Sequence, residues 1–352
     1  VIWVGGAGDW TDPTKWTNTS GINMVPGNGD TALILAAGSS VRVDTATADL
    51  TLFRMTAGTL VFSNWNTRLS AADIRLEGGS VTLPNAFTWD QPSNRIWFAA
   101  GTNFLLGSNA TINANFKGYA TTNGPGGGIS KTGGGSGAGH GGWGGRNVSN
   151  DRGGPPYNDP TAPIAPGSGG GHTTLGGAGG GAVFIDSSNA VVTIHGTITA
   201  NGQDGTGTHG GGGSGGSIYI LCKRFQGSTN GLLRVRGGNG NSGGGGGAGG
   251  RIAVVYDPTE QSIVPNPGVR MDGFAGRTGT IRSRLGESGT GYYPDTRFIT
   301  PILDRFLFWD VRLIIPNFTN WGVNDLLISN CWVHIVHSNF VLVVTNNARF
   351  HN

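Results

Sequence analysis

The sequence predicts an all-β protein: a right-handed parallel β-helix whose glycine-rich loops pack on one side of the coils as polyglycine II helices. One observation is a repeat, since apolar strands that begin at Gly181, Gly216 and Gly250 follow one another at steps of about 35 residues. The other is composition. Glycine supplies 67 of the 352 residues, against a usual share of about 7%, and each glycine in a helix interior costs about 1 kcal/mol relative to alanine.

A second family of strands supports the same repeat. These are short alternating strands that end at Gly202, Gly238 and Gly273, again at steps of about 35 residues. Alternation of apolar and polar residues indicates that one face of each strand is buried. A repeat that contains two short strands and a glycine-rich loop is typical of a solenoid with stacked coils.

The N-terminal third has shorter strands, separated by turns such as those at 57–59 and 77–80. Trp3, Trp10 and Trp16 are expected to cover the first coil, which would otherwise be an open sheet end. The predicted division is a cap and first coil at 1–40, a β-helix at 41–290 with loop insertions at about 124–181, 203–216 and 237–250, and C-terminal coils at 291–352.

The glycine-rich loops have two interpretations. Phosphate-binding loops lead into a helix and carry a Lys-Ser or Lys-Thr pair, whereas these loops lead into strands and lack that pair. They are therefore either flexible surface loops or a packed layer, because backbones without Cβ atoms can approach one another closely. For a packed layer we expect glycine to be required at Gly202, Gly212, Gly238, Gly245 and Gly273.

Two sequence segments resemble known proteins. The opening WVGGAGDWTDPTKW at 3–16 and VPGNGDTA at 25–32 resemble the start of autotransporter-type and adhesin-like bacterial surface proteins. The stretch at 201–256 resembles the glycine-rich parallel β-helix segment of large secreted bacterial proteins. This resemblance implies an extracellular or cell-surface location and a structural or adhesive role.

Charge and apolar patterning exclude several classes of partner. The net charge is only +3 and arginines are scattered singly, so we expect no nucleic-acid partner. No apolar run reaches the roughly 18 residues of a membrane helix, so we expect no membrane insertion of this segment.

Cys222 and Cys331 are predicted to be separate buried thiols. The start at Val1 suggests a processed or trimmed chain, and the strand-like run before Asn352 suggests that more chain once followed.

One glycine-rich loop contains a candidate binding site. Trp143 is expected to be exposed beside His140 and Arg146, where an indole could contact a sugar face or a partner protein. His172 and His209 lie in other loops, and stacked loops could bring the three histidines together around a metal. Because no pair has ligand-like spacing, we predict no metal and no cofactor.

Catalysis of polysaccharide cleavage is the main enzymatic alternative. A hydrolase needs two carboxylates about 5–10 Å apart, and the only moderately clustered acids are Asp186, Asp204, Asp257 and Asp272. A lyase needs a base beside cationic groups, for which the chain offers Lys223, Arg224, Arg234, Arg236, Arg251, Arg270 and Arg282. These residues also fit solvated positions on alternating strands. The sequence therefore leaves enzymatic activity open and favours its absence.

The last strands of the sequence predict assembly. Phe340, Val341, Leu342, Val343 and Val344 form an apolar run that we expect to be covered by further chain or by a neighbouring subunit. The alternative is that residues 345–352 fold over this run. The predicted function is an extracellular structural or adhesive protein of a bacterial surface, with a fibre or sheath subunit as one form of that role. Its predicted partner is itself or an extracellular polysaccharide. The alternative is a polysaccharide lyase or glycan-binding module.

Overall fold

The computed structural model describes residues 1–88, 92–131, 134–278 and 284–351. Within them the chain forms 23 strands, a short helix, α1 (Pro258–Gln261), and a 3-10 turn at Pro13–Lys15. The all-β prediction is confirmed. None of the helical segments in these ranges has the length and apolar character needed to cross a lipid bilayer.

The first eleven strands are β1 (Ile2–Trp3), β2 (Ala7–Asp9), β3 (Trp16–Thr17), β4 (Thr31–Ile34), β5 (Ser40–Val43), β6 (Asp49–Met55), β7 (Thr59–Phe62), β8 (Leu69–Thr82), β9 (Ile96–Asn113), β10 (Ser130–Lys131) and β11 (Gly134–Gly135). The remaining strands are β12 (Ala182–Ile194), β13 (Thr197–Thr199), β14 (Ser217–Gly227), β15 (Leu232–Arg234), β16 (Arg251–Val255), β17 (Arg270–Asp272), β18 (Gly289–Tyr292), β19 (Ile302–Leu303), β20 (Phe308–Ile314), β21 (Asn320–Ser329), β22 (Trp332–Ile335) and β23 (Val341–His351).

Strands that lie one repeat apart in sequence are neighbours in space. Strand β12 pairs in parallel with β14, so that Ala182 lies opposite Ser217, and β14 pairs with β16, so that Ser217 lies opposite Arg251. A second row of parallel strands follows the order β13, β15 and β17. The repeat of about 35 residues therefore sets which strands pair.

The prediction of a right-handed parallel β-helix is wrong, because the two rows close into a ring. Strand β9 pairs with both β12 and β13, and β20 pairs with both β17 and β18. The closed circuit runs through β9, β12, β14, β16, β18, β20, β17, β15 and β13, a nine-strand parallel barrel with further strands outside it. The two rows close into a ring because β9 and β20 each continue from one row to the other.

The strands outside the ring include the N-terminal strands and two small separate sheets. Strand β8 runs through 77–80 without a break, so the turn predicted there is wrong, whereas the turn at 57–59 separates β6 from β7 and contains Gly58 at a φ of 87°. The small sheets are the antiparallel pair β10–β11 and the parallel set β19–β21–β23.

The hydrophobic core lies between the two rows of strands. Ile185, Ile220 and Val254 point inward from one row, and Ile198 and Leu233 do so from the other. All five are fully buried. In β12 and β14 such inward residues alternate with half-buried outer residues, which gives these strands one core face and one outer face. Strand β16 is buried on both faces from Arg251 to Val254.

The glycine-rich segments at 134–145, 167–181, 210–216 and 244–250 are packed side by side. In the segment at 210–216 every residue is buried, and three successive amides donate to three neighbouring segments before the order repeats. The acceptors for residues 211 to 216 are, in order, the carbonyl oxygens of Gly171, Gly245, Gln203, Ser168, Ala248 and Ala200. The segments therefore form a layer joined by lateral backbone hydrogen bonds, and their predicted polyglycine II conformation stays a prediction.

Candidate functional site

The predicted binding group at Trp143, His140 and Arg146 is not an open site. His140 is fully buried, so the expectation of a solvent-facing group is wrong for it. Trp143 is half-buried with the guanidinium of Arg152 3.6 Å from its ring centre. Arg146 donates to the carbonyl oxygen of Asn150 at 2.8 Å. Loop composition predicted exposure here, but the loop lies within the glycine layer.

His140 instead contacts the glycine layer at Gly215 and the loop that contains Tyr157. Its Nδ1 lies 2.8 Å from the carbonyl oxygen of Gly215, and its ring centre lies 4.5 Å from that of Tyr157. Burial, together with the nearby positive charge of Arg251, lowers the pKa of His140 to about 3. The imidazole is therefore neutral at physiological pH and donates from Nδ1 to Gly215.

The described ranges contain no group of three His, Cys, Asp or Glu residues close enough to hold a metal ion. His172 and His209 adopt positive φ angles of 93° and 72° in their loops. The two cysteines are both free, with Cys222 buried and Cys331 half-buried. Burial raises the pKa of both thiols, so neither has the thiolate character of a nucleophile.

Many of the charged residues considered for catalysis are engaged with one another. The carboxylate of Asp272 accepts from Arg234 at 2.9 Å and from Arg236 at 2.7 Å. Glu260 pairs with Lys223 at 3.0 Å and with Arg224.

Arg251 is buried beneath the loop at Tyr157, whose carbonyl accepts from its Nε at 2.8 Å. It therefore does not line an open groove. Arg282 lies outside the described residues, as does Trp89.

Four of the five glycines singled out in the sequence lie where backbone approaches backbone. A Cβ atom on Gly212 would overlap the carbonyl oxygen of Gly238, and one on Gly245 would overlap that of Gly145. The same holds for Gly202 and Gly238. Gly273 has more room, since its nearest neighbour would be the Cα of Gly289 at 3.3 Å.

Three tryptophans cover the N-terminal end of the sheet, which we call the closed end, although β2 pairs only with β5 among the described residues. Trp3, Trp10 and Trp16 are buried, and their rings meet edge to face with centres 5.1 and 4.7 Å apart. Strand β1 pairs with β3 on one side and with β4 on the other. The tryptophans therefore cover this end, as the sequence predicted.

The C-terminal end is open. Strand β23 pairs with β21 along one edge, from Asn320 opposite Val341 to Ser329 opposite His351, and within the described residues no strand pairs with its other edge. Val343 is 49% exposed and Phe350 is 64% exposed. Residues 345–351 continue the strand, so the alternative in which they fold over the apolar run is wrong. We call this unpaired side of β23 the free edge.

Polar side chains of β21 and β23 are hydrogen-bonded across the paired edge of β23, which was not predicted from the sequence. Thr345 donates from its hydroxyl to Asn324 at 3.0 Å, and Asn346 donates from its amide to Asp325 at 2.8 Å. The sequence does contain a signal for these hydrogen bonds, because NDL at 324–326 and NNA at 346–348 occupy similar places in two strands.

Comparison of the chain with family models, with curated proteins and with solved structures gives no match. The resemblance to autotransporter-type and adhesin-like proteins therefore stays a prediction.

Proposed function

We propose that this protein is a structural or adhesive component of a bacterial surface and that it acts by association through the free edge of β23. The observation that carries the proposal is an eleven-residue strand that has one unpaired edge within the part of the chain that the structure describes. A long, apolar, unpaired strand edge recruits another strand, and proteins that remain monomeric cover or charge such edges.

The chemistry of the free edge favours a second copy of the chain as the partner. Val341, Leu342 and Val343 are all exposed. No Lys, Asp, Glu or Pro occurs in β23, and its one arginine, Arg349, lies near the end of the strand. Pairing with a second β23 would satisfy the open amides and carbonyls of both copies and bury both apolar runs. Such a contact uses the same surface twice, as two-fold dimers do.

The glycine layer fits the role of a stiff scaffold. Its segments are joined by backbone hydrogen bonds in several directions, and a buried backbone group that loses its partner is costly. The repeat of donor directions every third residue supports a conformation with three residues per turn, the geometry of polyglycine II. A layer of this kind holds the strand rows in place without side-chain packing.

The proposed location is extracellular, at or beyond the bacterial surface. It rests on the resemblance of the opening segment at 3–16 and of the glycine-rich stretch at 201–256 to secreted bacterial proteins.

Sedimentation velocity over a range of micromolar concentrations tests the proposed association. We expect the native chain to form dimers as concentration rises and Val343→Lys to remain monomeric, because a lysine on an edge strand opposes pairing. Ile22→Lys is the matched control, since Ile22 is exposed outside the free edge, and it should dimerise like the native chain. A native chain that stays monomeric throughout the range would contradict the proposal.

A further inference from the structure

A cavity of about 410 Å³ lies where β20 and β22 meet, and Trp309, Asn330, Cys331 and Trp332 line it. Trp309 lies directly opposite Trp332 in the parallel pairing of the two strands. Trp332 is 45% exposed, so its indole is open to solvent. The volume lies within the range of about 300–1,000 Å³ that is usual for small-molecule sites.

The two indoles are held by neighbouring aromatic rings. Phe306 packs edge to face on Trp309 with ring centres 5.2 Å apart. Phe274 and His334 contact Trp332, at 6.3 and 5.9 Å. Both indoles are thus fixed before any ligand binds, which lowers the entropic cost of binding.

The backbone around the cavity adopts unusual conformations. Phe306, Asp310 and Asn330 have positive φ angles of 59°, 51° and 51° although none is glycine. Asp310 is the extra residue of a bulge, because Trp309 pairs with Trp332 whereas Val311 pairs with Val333. Bulges and left-handed residues are common next to binding sites, where they redirect side chains.

The carboxylates near the cavity are already engaged. Asp310 accepts from the His334 imidazole at 3.0 Å and from the Ser288 hydroxyl. Burial alone would raise the pKa of Asp310, but the hydrogen bonds from His334 and Ser288 outweigh that effect and lower it. Asp272, one strand away from Trp309, is paired with Arg234 and Arg236. Asp304, which lies close enough to Cys331 to raise its pKa, is ion-paired with Arg305 at 3.5 Å. Each of these three carboxylates therefore already has a partner.

A cationic group contacts a neighbouring ring of Trp332. The guanidinium of Arg277 lies 4.3 Å from the ring centre of Phe274, the ring that contacts Trp332. Arg277 is exposed, and among the described residues no carboxylate lies within ion-pair distance of it. Phe274 therefore contacts both Trp332 and a guanidinium that has no ion-pair partner among the described residues.

We propose that this cavity binds a pyranose ring of an acidic polysaccharide. An indole offers an apolar face to the C–H groups of a sugar ring, the Asn330 amide can donate to a hydroxyl and accept from one, and Arg277 can bind the carboxylate of a neighbouring uronate. This proposal deepens the adhesive function by naming a ligand class. It does not depend on association through the free edge.

Isothermal titration calorimetry with two saccharides tests the site in the Val343→Lys background, so that failure of edge association cannot change the result. The probes are a tetrasaccharide of galacturonic acid and its fully methyl-esterified form, which lacks the charges. We expect Trp332→Ala to weaken binding of both probes about tenfold or more. Arg277→Gln should weaken binding of the acidic probe alone. Trp332→Phe, which keeps a ring, should retain part of the affinity.

Trp143→Ala is the control, because Trp143 is the tryptophan that loop composition favoured. Affinities unchanged in Trp143→Ala and reduced in Trp332→Ala support the cavity, and the reverse pattern overturns it. The proposal is also overturned if neither probe binds the parent protein at millimolar concentration. Tighter binding of choline than of the acidic tetrasaccharide would overturn it as well, because an aromatic cage for a cation would then be the better description.

Discussion

His140 shows how a residue that looks like a surface ligand in the sequence can instead hold two parts of a fold together. The sequence around it, GAGHGGWGG at 137–145, has the composition of an exposed loop. In the structure its Nδ1 donates to Gly215 and its ring packs on Tyr157. The burial of a polar residue among glycines depends on which segments lie above and below, and local composition carries no information about that.

Burial of His140 predicts a loss of stability in mild acid. Its pKa is about 3 in the folded chain and 6.5 without the fold. Below pH 6.5 the unfolded chain therefore binds a proton that the folded chain does not, and stability falls as pH falls. The free energy of unfolding should drop by about 1.4 kcal/mol per pH unit between pH 6 and 4 from this residue.

Urea unfolding at several pH values measures this slope. His140→Asn keeps a donor for the Gly215 carbonyl but does not titrate, so its unfolding free energy should vary less with pH over that interval. Equal slopes for the two proteins would show that His140 does not set the acid sensitivity.

At the scale of elements, the sequence predicted strand pairing better than strand length. The repeat identified β12, β14 and β16 as neighbours because each apolar strand needs a partner one repeat away. It did not predict the ring. Gly101 and Gly107 look like turn residues, yet both lie inside β9, and an isolated glycine in an apolar run is compatible with either a turn or a strand. Because β9 continues through these two glycines, it pairs with strands of both rows and joins the rows into a ring.

The glycine segments are elements in their own right, and their packing gives a prediction about Gly212. Gly212→Ala should destabilise the chain by several kcal/mol, on the order of the cost of other overpacked buried sites, because the new Cβ would overlap the Gly238 carbonyl. Gly38→Ala is the matched control, since a Cβ there would have no neighbour within 4 Å and the residue has no positive φ. Thermal or urea unfolding measures both. Equal stabilities of the two variants would mean that the layer can open at little cost.

At the scale of the whole molecule, the two ends of the strand array differ. The first end is closed by three buried tryptophans and by an antiparallel strand, β3. The other end presents the free edge of β23 and the exposed face of Trp332. The sequence predicted this asymmetry, because an apolar terminal run without a polar cap is visible in the residues alone. The fibre or sheath subunit that the sequence suggested stays a prediction.

The closed end predicts that assembly stops at the dimer. A head-to-tail contact would have to join the free edge to the tryptophan-covered end, whereas a contact between two free edges closes on itself. Asn346, at the middle of β23, should then lie near its counterpart in the second copy. In a Cys331→Ser background, Asn346→Cys treated with a bismaleimide should give covalent dimers. Val4→Cys, exposed near the closed end, should give no crosslinked product under the same conditions. A ladder of larger species in sedimentation, or crosslinking of Val4→Cys as efficient as that of Asn346→Cys, would show that the closed end takes part in assembly and that the protein polymerises.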